Sequence, residues 1–183
     1  MKNLYLKDLL FQSMIAAAYV VLSLLFKDIS FGMIQFRISE LLVILILFSP
    51  KHLIGVTLGC LIANLFSPML AFDVPIGTSA TLLAGLLMIL FRRKVGTIIF
   101  PTIINAFAVG WMLWFALDYP FWESVGYVAL GEFVITVVIG LPIYLFLRNS
   151  IDLREMLEDD KKALRWALLL YLFYIIFLLH HFF

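Results

Sequence analysis

Apolar residues in this sequence come in long runs, which short polar or proline-containing segments interrupt. Six runs before Arg148 are interpreted as membrane helices, because a span needs about 20 mostly apolar residues. Pro50 stops the short second run, and Ser67-Pro68 is able to bend or end the third. The predicted spans are Leu9–Phe26, Ser39–Phe48, Lys51–Phe72, Val74–Phe91, Val95–Leu117 and Glu123–Leu147.

A charged stretch, Arg148 to Arg165, separates this block from a last apolar run, Trp166 to Phe183. That run is long enough for a seventh span, although Trp166 and the terminal aromatic residues also suit an interfacial helix. We expect the seventh span. The predicted fold class is an all-α integral membrane protein. It has a six-span bundle over residues 1–150 and a charged segment with a C-terminal hydrophobic helix over residues 151–183.

Composition supports a membrane location. Hydrophobic residues make up 64% of the 183 residues and charged residues 14%, and the mean hydropathy is +1.10. Soluble domains are roughly 45–50% apolar and about 25% charged. A chain of this size cannot bury such an excess in a water-soluble core. A net charge of +1 argues against nucleic acid as a partner, and Cys60 alone cannot form an internal disulfide.

Basic residues predict the orientation, because cytoplasmic loops are enriched in lysine and arginine. With the N-terminus inside, only Lys27 and Arg37 fall in outer loops. We therefore expect a multi-pass protein of the cell membrane with a cytoplasmic N-terminus. The inner segments hold Lys2, Lys7, Lys51, Arg92, Arg93, Lys94, Arg148, Arg154, Lys161, Lys162 and Arg165.

Small residues spaced four apart predict where membrane helices approach closely. Such rows occur at Gly55, Gly59 and Ala63, at Ala80 and Ala84, and at Ala106 and Gly110. We expect these rows to pack within the bundle. In the first span, Ser13 and Ala17 are also four apart, with Ala16 beside them. That face either packs internally or meets a partner helix.

Polar side chains within the spans predict a pocket, because buried charge in a membrane usually faces a partner or a cavity. Glu132 lies about 13 Å below the outer start of the sixth span, from the rise per residue. Under the predicted topology these groups all fall between the middle and the outer surface, which indicates a pocket open to the outside. The candidates are Arg37, Glu40, Asn64, Asp73, Asn105 and Glu132.

Each candidate also has a structural interpretation. Arg37 and Glu40 are three residues apart and suited to pair with each other. Asn64 and Asn105 are alternatively hydrogen-bonding residues between helices, and Asp73 is alternatively a solvated loop acid or a helix cap. Glu132 shares its depth with no basic residue, so it either binds a donor-rich ligand or is protonated because burial disfavours the charged form.

Aromatic residues near the outer ends of the fifth and sixth spans, Trp111 among them, are typical of an interfacial belt. Alternatively, one or two of them stack on a flat ligand. The segment from Lys27 to Phe36 is a candidate lid over the pocket. The sequence has no phosphate-binding loop of the G-x-x-x-x-G-K-[ST] type and no HExxH or GxSxG motif. We expect no enzyme activity, no cofactor and no metal site.

Several motifs together resemble the QueT family. They are Ile34-Gln35-Phe36-Arg37-Ile38-Ser39-Glu40-Leu41, Gly59 to Pro68, then Asp73, Gly77 and Thr81, and finally Gly131-Glu132. The resemblance covers about Leu9 to Arg148. It implies a substrate-binding S component of an energy-coupling factor (ECF) importer, which has six helices and an outward pocket. The implied substrate is a queuosine precursor, a 7-deazaguanine such as the aminomethyl form.

The implied partners are the transmembrane coupling subunit EcfT and two ATP-binding-cassette ATPases, which hydrolyse the ATP. S components dock on EcfT through small residues of the first helix, usually with AxxxA spacing. In this sequence Ser13-x-x-x-Ala17 matches that spacing loosely, and Ala16 is adjacent. The apolar tail after Arg165 departs from the usual end of the family.

The chemistry of a deazaguanine suits the candidate residues. Its ring N–H and amine form a donor edge that a carboxylate can accept as a bidentate pair, so Glu132, Glu40 and Asp73 are the candidates for that edge and for the aminomethyl cation. Asn64 and Asn105 suit the carbonyl and ring nitrogen, and a tryptophan such as Trp111 suits stacking. Arg37 would hold Glu40 or bond the carbonyl.

Two other functions are weighed against this one. A stand-alone, proton-coupled transporter of a purine-like or vitamin solute would use Glu132 as its proton carrier. The sequence shows no internal repeat of the kind that such transporters often have. A membrane scaffold or intramembrane enzyme would bind no small ligand.

Overall fold

A computed structural model describes residues 2–32, 35–91 and 95–150, with side chains from residue 6 onward. The described residues form helices joined by short turns and irregular segments. The predicted last apolar run, most of the charged segment before it, and Arg92 to Lys94 lie outside the described residues. The elements are α1 (Lys2–Leu25), α2 (Lys27–Ser30), a 3-10 helix (Ile38–Leu47), α3 (His52–Asn64), α4 (Leu70–Leu90), α5 (Val95–Leu117) and α6 (Phe121–Asn149).

Four of these helices are long and apolar enough to cross a membrane: α1, α4, α5 and α6. The 3-10 helix and α3 are apolar but shorter, at 10 and 13 residues. Each rises about 20 Å along its axis, compared with a hydrocarbon layer of about 30 Å. The described residues are thus all-helical with four candidate spans, which agrees with a membrane helical bundle, whereas the number of six spans stays a prediction.

Proline residues explain where the observed helices differ from the predicted spans. The third helix ends at Asn64, before Ser67-Pro68, and does not continue to Phe72. The residue before a proline disfavours the α conformation and proline lacks an N–H donor, so the chain breaks there and restarts at Leu70 in α4.

Two helices contain π turns, in which the backbone widens by one residue. The first is Asp73–Gly77 in α4, which contains Pro75, and the second is Val134–Ile139 in α6, which precedes Pro142. A proline inside a helix cannot donate the regular backbone hydrogen bond, and a π turn is one way to absorb that loss. Such turns are frequent at functional sites. The first starts at Asp73 and the second begins two residues after Glu132.

Small residues set the closest helix contacts, as predicted. A Cβ added to Gly59 would lie 2.6 Å from Tyr19 Cβ and 2.9 Å from the Ala16 carbonyl oxygen. A Cβ on Gly110 would lie 2.6 Å from Val125 Cγ2. The backbones of α1 and α3, and of α5 and α6, can approach this closely only because glycine occupies these positions. The other members of the rows are buried too: Ala63, Ala80, Ala84 and Ala106.

The outer surface of the bundle is apolar. Large hydrophobic side chains such as Leu9, Leu90 and Phe146 are exposed, whereas many polar side chains are buried between the helices. Soluble proteins show the opposite arrangement. This inside-out distribution is the one that a lipid environment stabilises, because hydrocarbon favours apolar contact and leaves polar groups to be satisfied inside.

Candidate functional site

Arg37 is buried and forms an ion pair across the bundle. Its Nη2 donates to Asp73 Oδ1 over 3.2 Å, and the other oxygen of Asp73 accepts the Ser67 hydroxyl. The Phe31 ring lies with its centroid 5.3 Å from Arg37 Cζ, a distance typical of a cation–π contact. Arg37 therefore pairs with Asp73 and not with Glu40, the partner that its structural interpretation named. Asp73 is neither a solvated loop acid nor a helix cap, since it is buried and α4 begins before it.

Asn64, the last residue of α3, completes this group. Its Nδ2 donates to the Asp73 carbonyl oxygen over 2.8 Å and lies 3.2 Å from Thr78 Oγ1. Asn64 thus ties α3 to the π turn of α4, which is the interhelical role given as its alternative. Gly77 allows this approach, because a Cβ there would lie 3.1 Å from Asn64 Nδ2. We name Arg37, Asn64, Ser67 and Asp73 the Arg37 cluster.

Glu40 lies in the first turn of the 3-10 helix and is completely buried. Its Oε1 accepts two hydroxyl groups, Tyr19 of α1 over 2.5 Å and Thr81 of α4 over 3.2 Å. Thr81 Oγ1 also lies 3.4 Å from Cys60 Sγ of α3. These four residues, from four different elements, form what we name the Glu40 cluster.

Glu132 and Asn105 form a third group, the Glu132 pair, between α5 and α6. Asn105 Nδ2 donates to Glu132 Oε1 over 3.0 Å, and both side chains are buried. One turn further along α6, Thr136 donates to the Glu132 carbonyl oxygen and lies 3.0 Å from Thr102 of α5. Glu132 is buried between the helices, while its depth below the outer surface stays a prediction.

The packing of the helices links the three groups. The 3-10 helix that carries Glu40 packs against the π turn of α6 that begins two residues after Glu132. The helix that carries Asn105, α5, packs against the π turn of α4 that begins at Asp73. Side chains that are up to 95 positions apart in the sequence, from Arg37 to Glu132, therefore belong to one polar region between the helices.

Four side-chain atoms in this region are buried and have no hydrogen-bond partner within the described part of the chain: Arg37 Nε, Glu40 Oε2, Asn105 Oδ1 and Glu132 Oε2. A buried polar atom without a partner costs about 1–3 kcal/mol. A ligand with complementary groups would remove that cost. The set offers three acceptors and one donor, which suits a ligand with several N–H groups and one acceptor.

Other predicted residues lie apart from this region. Trp111 is 43% exposed and its ring stacks on Phe115 with 5.3 Å between the centroids, so it lies on the outside of α5. Of the small residues of α1, Ser13 is exposed and Ala17 half-buried, whereas Ala16 is buried against Gly59. Of these three residues, Ser13 and Ala17 remain on a face that another helix can reach.

Tyr19 is the main residue that sequence reasoning missed. Its side chain is 1% exposed, and a tyrosine buried in an apolar span almost always needs a partner for its hydroxyl group. This requirement for a hydroxyl partner was the sign in the sequence that could have identified Tyr19. Thr81 was noted in the family pattern but not as a partner of Glu40, since α1, α4 and the 3-10 helix must be packed together before the contact exists.

Comparison with known proteins gives two matches. The sequence model described as QueT transporter matches residues 9–149. A relative from Lactococcus lactis subsp. cremoris (strain MG1363), named queuosine precursor transporter QueT, is 33% identical over 169 residues. That alignment covers 84% of this chain and 99% of the relative. No solved structure matches the chain.

Proposed function

Because the chain belongs to the QueT transporter family, we propose that it binds a queuosine precursor and takes part in its transport across the cell membrane. The observation that carries this proposal is the buried region around Glu40 and Glu132, in which three acceptor atoms and one donor atom have no hydrogen-bond partner among the described residues. A 7-deazaguanine has a donor edge of ring N–H and amine groups and one carbonyl acceptor, so its groups complement this set.

The two glutamates share the donor edge in this proposal. Each uses Oε1 for a hydrogen bond inside the protein and has Oε2 without a partner. A single bidentate carboxylate, as the sequence alone suggested, would need one of those internal bonds to break. One oxygen from each glutamate accepts a ligand donor instead, and Arg37 Nε donates to the ligand carbonyl. Asp73 is already neutralised by Arg37, so it takes no direct part.

The aminomethyl form is the proposed substrate because of the balance of buried charge. Arg37 is paired with Asp73, which leaves Glu40 and Glu132 without a basic partner in the described bundle. A ligand that carries an ammonium group supplies one positive charge to this region, and buried charges are stable mainly when paired. A neutral deazaguanine would supply donors but no charge.

Binding by the purified full-length chain in detergent tests the proposal. Isothermal titration with the aminomethyl deazaguanine is expected to give saturable binding, with guanine and adenine far weaker and a neutral deazaguanine intermediate. The same ligand order is expected in thermal stabilisation of the protein. If a folded preparation, monodisperse on gel filtration, is stabilised by none of these compounds, the proposed function fails.

The chain is further proposed to be the S component of an ECF importer, with a cytoplasmic N-terminus, working with EcfT and two ABC ATPases. The exposed Ser13 and half-buried Ala17 on α1 support a docking face. Ala17→Trp is expected to abolish co-purification with EcfT and to leave ligand affinity unchanged. Leu83→Trp, at an exposed position of α4, is the matched control. Equal co-purification of both variants would remove α1 from the interface.

A proton-coupled transporter that works alone is the second candidate, and the buried, partly unpaired carboxyl group of Glu132 favours it. Beyond Glu132, α6 has no further acidic residue up to Asn149, and α5 has none at all, so a proton released inward has no acidic relay there. Uptake into proteoliposomes distinguishes the two candidates. The first predicts uptake only with the partners and ATP, and the second predicts uptake from the chain alone that stops when the pH gradient is removed.

A further inference from the structure

Tyr19 of α1 reaches into the site although nothing in its sequence neighbourhood is polar. It follows Ala16, Ala17 and Ala18 directly, and its side chain is almost completely buried. Its hydroxyl group donates to Glu40 Oε1 over 2.5 Å, at the short end of the range for a hydroxyl donating to a carboxylate. The contact joins two elements that are 21 residues apart.

The hydrogen bond from Tyr19 determines which carboxyl oxygen of Glu40 is left for a ligand. Tyr19 and Thr81 both donate to Oε1, whereas Oε2 is buried and has no hydrogen-bond partner in residues 2–32, 35–91 and 95–150. With Oε1 held from two sides, the carboxyl group cannot rotate without losing both bonds. Glu40 Oε2 is thereby fixed as the oxygen that a ligand donor meets.

The position of Tyr19 is itself fixed by the packing of α1 on α3. Its Cβ would lie 2.6 Å from a Cβ added to Gly59, so the tyrosine fits only because that position is glycine. One turn further along α1, Ser23 donates to Ser39 over 2.8 Å. The helix is therefore attached to the 3-10 helix immediately next to Glu40.

From this geometry we infer that Tyr19 is a positioning residue of the substrate site: it holds Glu40 Oε1 so that Oε2 accepts a donor of the ligand. The inference rests on the proposed function and adds α1 to the elements that determine substrate affinity. The same helix carries Ser13 and Ala17 on another face, so a shift of α1 would act directly on the Glu40 carboxyl group.

A double-mutant cycle on the full-length chain tests the inference. Tyr19→Phe keeps the ring in the core and removes one hydroxyl group, and it is expected to weaken binding of the aminomethyl deazaguanine about tenfold, since hydrogen bonds to charged groups are among the stronger ones. In the Glu40→Gln background, the same change is expected to alter affinity less than about twofold, because the positioned group is already gone. Tyr127→Phe, which makes the same chemical change at an exposed position of α6, is the matched control, with affinity expected within about twofold of the wild type.

The outcomes separate this inference from the proposed function. If the wild type binds and Tyr19→Phe binds equally well, or if its effect simply multiplies with that of Glu40→Gln, Tyr19 does not position Glu40. If the folded wild type binds no deazaguanine, the proposed function itself fails. Thr81→Val provides a second test should Tyr19→Phe not fold. It removes the other donor to Oε1, and an affinity loss that disappears in the Glu40→Gln background supports the fixed-oxygen geometry, whereas unchanged affinity contradicts it.

Discussion

The N-terminal and C-terminal halves of the bundle hold their buried acids differently. Asp73 is bonded by Arg37 and Ser67, and Glu40 by Tyr19 and Thr81. In the C-terminal half, the Glu132 side chain accepts a hydrogen bond from Asn105, and both members of that pair have a buried atom without a partner in the part of the chain that the structure describes.

Because of this difference, the two halves are expected to have different roles, one in holding the helices together and the other in binding a ligand. A buried charge that the protein pairs itself contributes to holding helices together, whereas one that it leaves partly unpaired is stabilised when a ligand arrives. The N-terminal half is therefore expected to respond to mutation mainly through stability. The Glu132 pair is expected to respond mainly through affinity. Mutation of Glu40 is expected to affect both stability and affinity, because Tyr19 and Thr81 donate to its Oε1 and not to its Oε2.

The largest expected effect comes from breaking the ion pair. Asp73→Ala leaves Arg37 buried without its carboxylate, which is expected to lower the free energy of unfolding by about 3–5 kcal/mol. Thermal unfolding in detergent measures it. The matched control is Asp8→Ala, which breaks the more exposed pair with Lys51, 2.7 Å long, and is expected to cost less than about 1 kcal/mol. Equal losses in the two variants would contradict the contrast between a buried and an exposed pair.

Glu132→Gln is expected to reduce affinity for the aminomethyl deazaguanine by about 10- to 100-fold, because it removes a charge-assisted bond to the ligand. Stability without ligand should stay the same or rise, since a buried carboxyl group becomes neutral. Titration and thermal unfolding on one preparation check both results. Glu123→Gln, at an exposed position of the same helix, should change neither. A variant that loses stability but retains affinity would place Glu132 with the structural acids.

Gly59→Ala tests how far the N-terminal half depends on close packing. The new methyl group would lie 2.6 Å from Tyr19 Cβ, so α1 and α3 must separate, at a cost of about 1–3 kcal/mol. Affinity should also fall, because Tyr19 moves with α1. Gly126→Ala is the control, since its added Cβ meets nothing within 4 Å. If Gly59→Ala unfolds at the same temperature as this control, the close packing has no energetic importance.

The smallest expected effect is that of Thr136→Val, which removes the hydroxyl group between Thr102 and the Glu132 carbonyl oxygen. Hydrogen bonds between membrane helices contribute about 0.6 kcal/mol on average, so the unfolding temperature should fall only slightly and affinity should be nearly unchanged. Thr136→Ser, which retains the hydroxyl group, is the comparison. A loss as large as that of Asp73→Ala would mean that the C-terminal half is not the weakly bonded one.

Prediction from sequence succeeded where a property depends on residues close together along the chain. The all-helical membrane class, the proline breaks and the small-residue rows at Gly59 and Gly110 all have local signals. Four apolar helices are long enough to span, while the 3-10 helix and α3 fall short of that length. Helix length there depends on where Pro50 and Pro68 end each element, which hydropathy alone does not determine.

The contacts that individual side chains make with one another were predicted less well. The spacing of three residues offered Glu40 as one possible partner of Arg37, but Asp73, 36 positions away, takes that place. Trp111 was a stacking candidate, and the rotation of α5 turns its ring outward onto Phe115. Both outcomes depend on how helices are rotated against one another, and a spacing rule within a single helix contains no information on that rotation.

The sequence by itself determined that this chain is a helical membrane protein of the QueT transporter family and that a few polar residues lie within its apolar runs. Hydropathy and sequence motifs depend on residues that are close together along the chain, so both can be read without a three-dimensional structure. The tertiary structure alone decided which buried group meets which. Tyr19 holds Glu40, Arg37 holds Asp73, and Glu132 has an unpaired oxygen. The physical reason is that a hydrogen bond needs two atoms within about 3 Å, and only the packing of distant helices brings them that close.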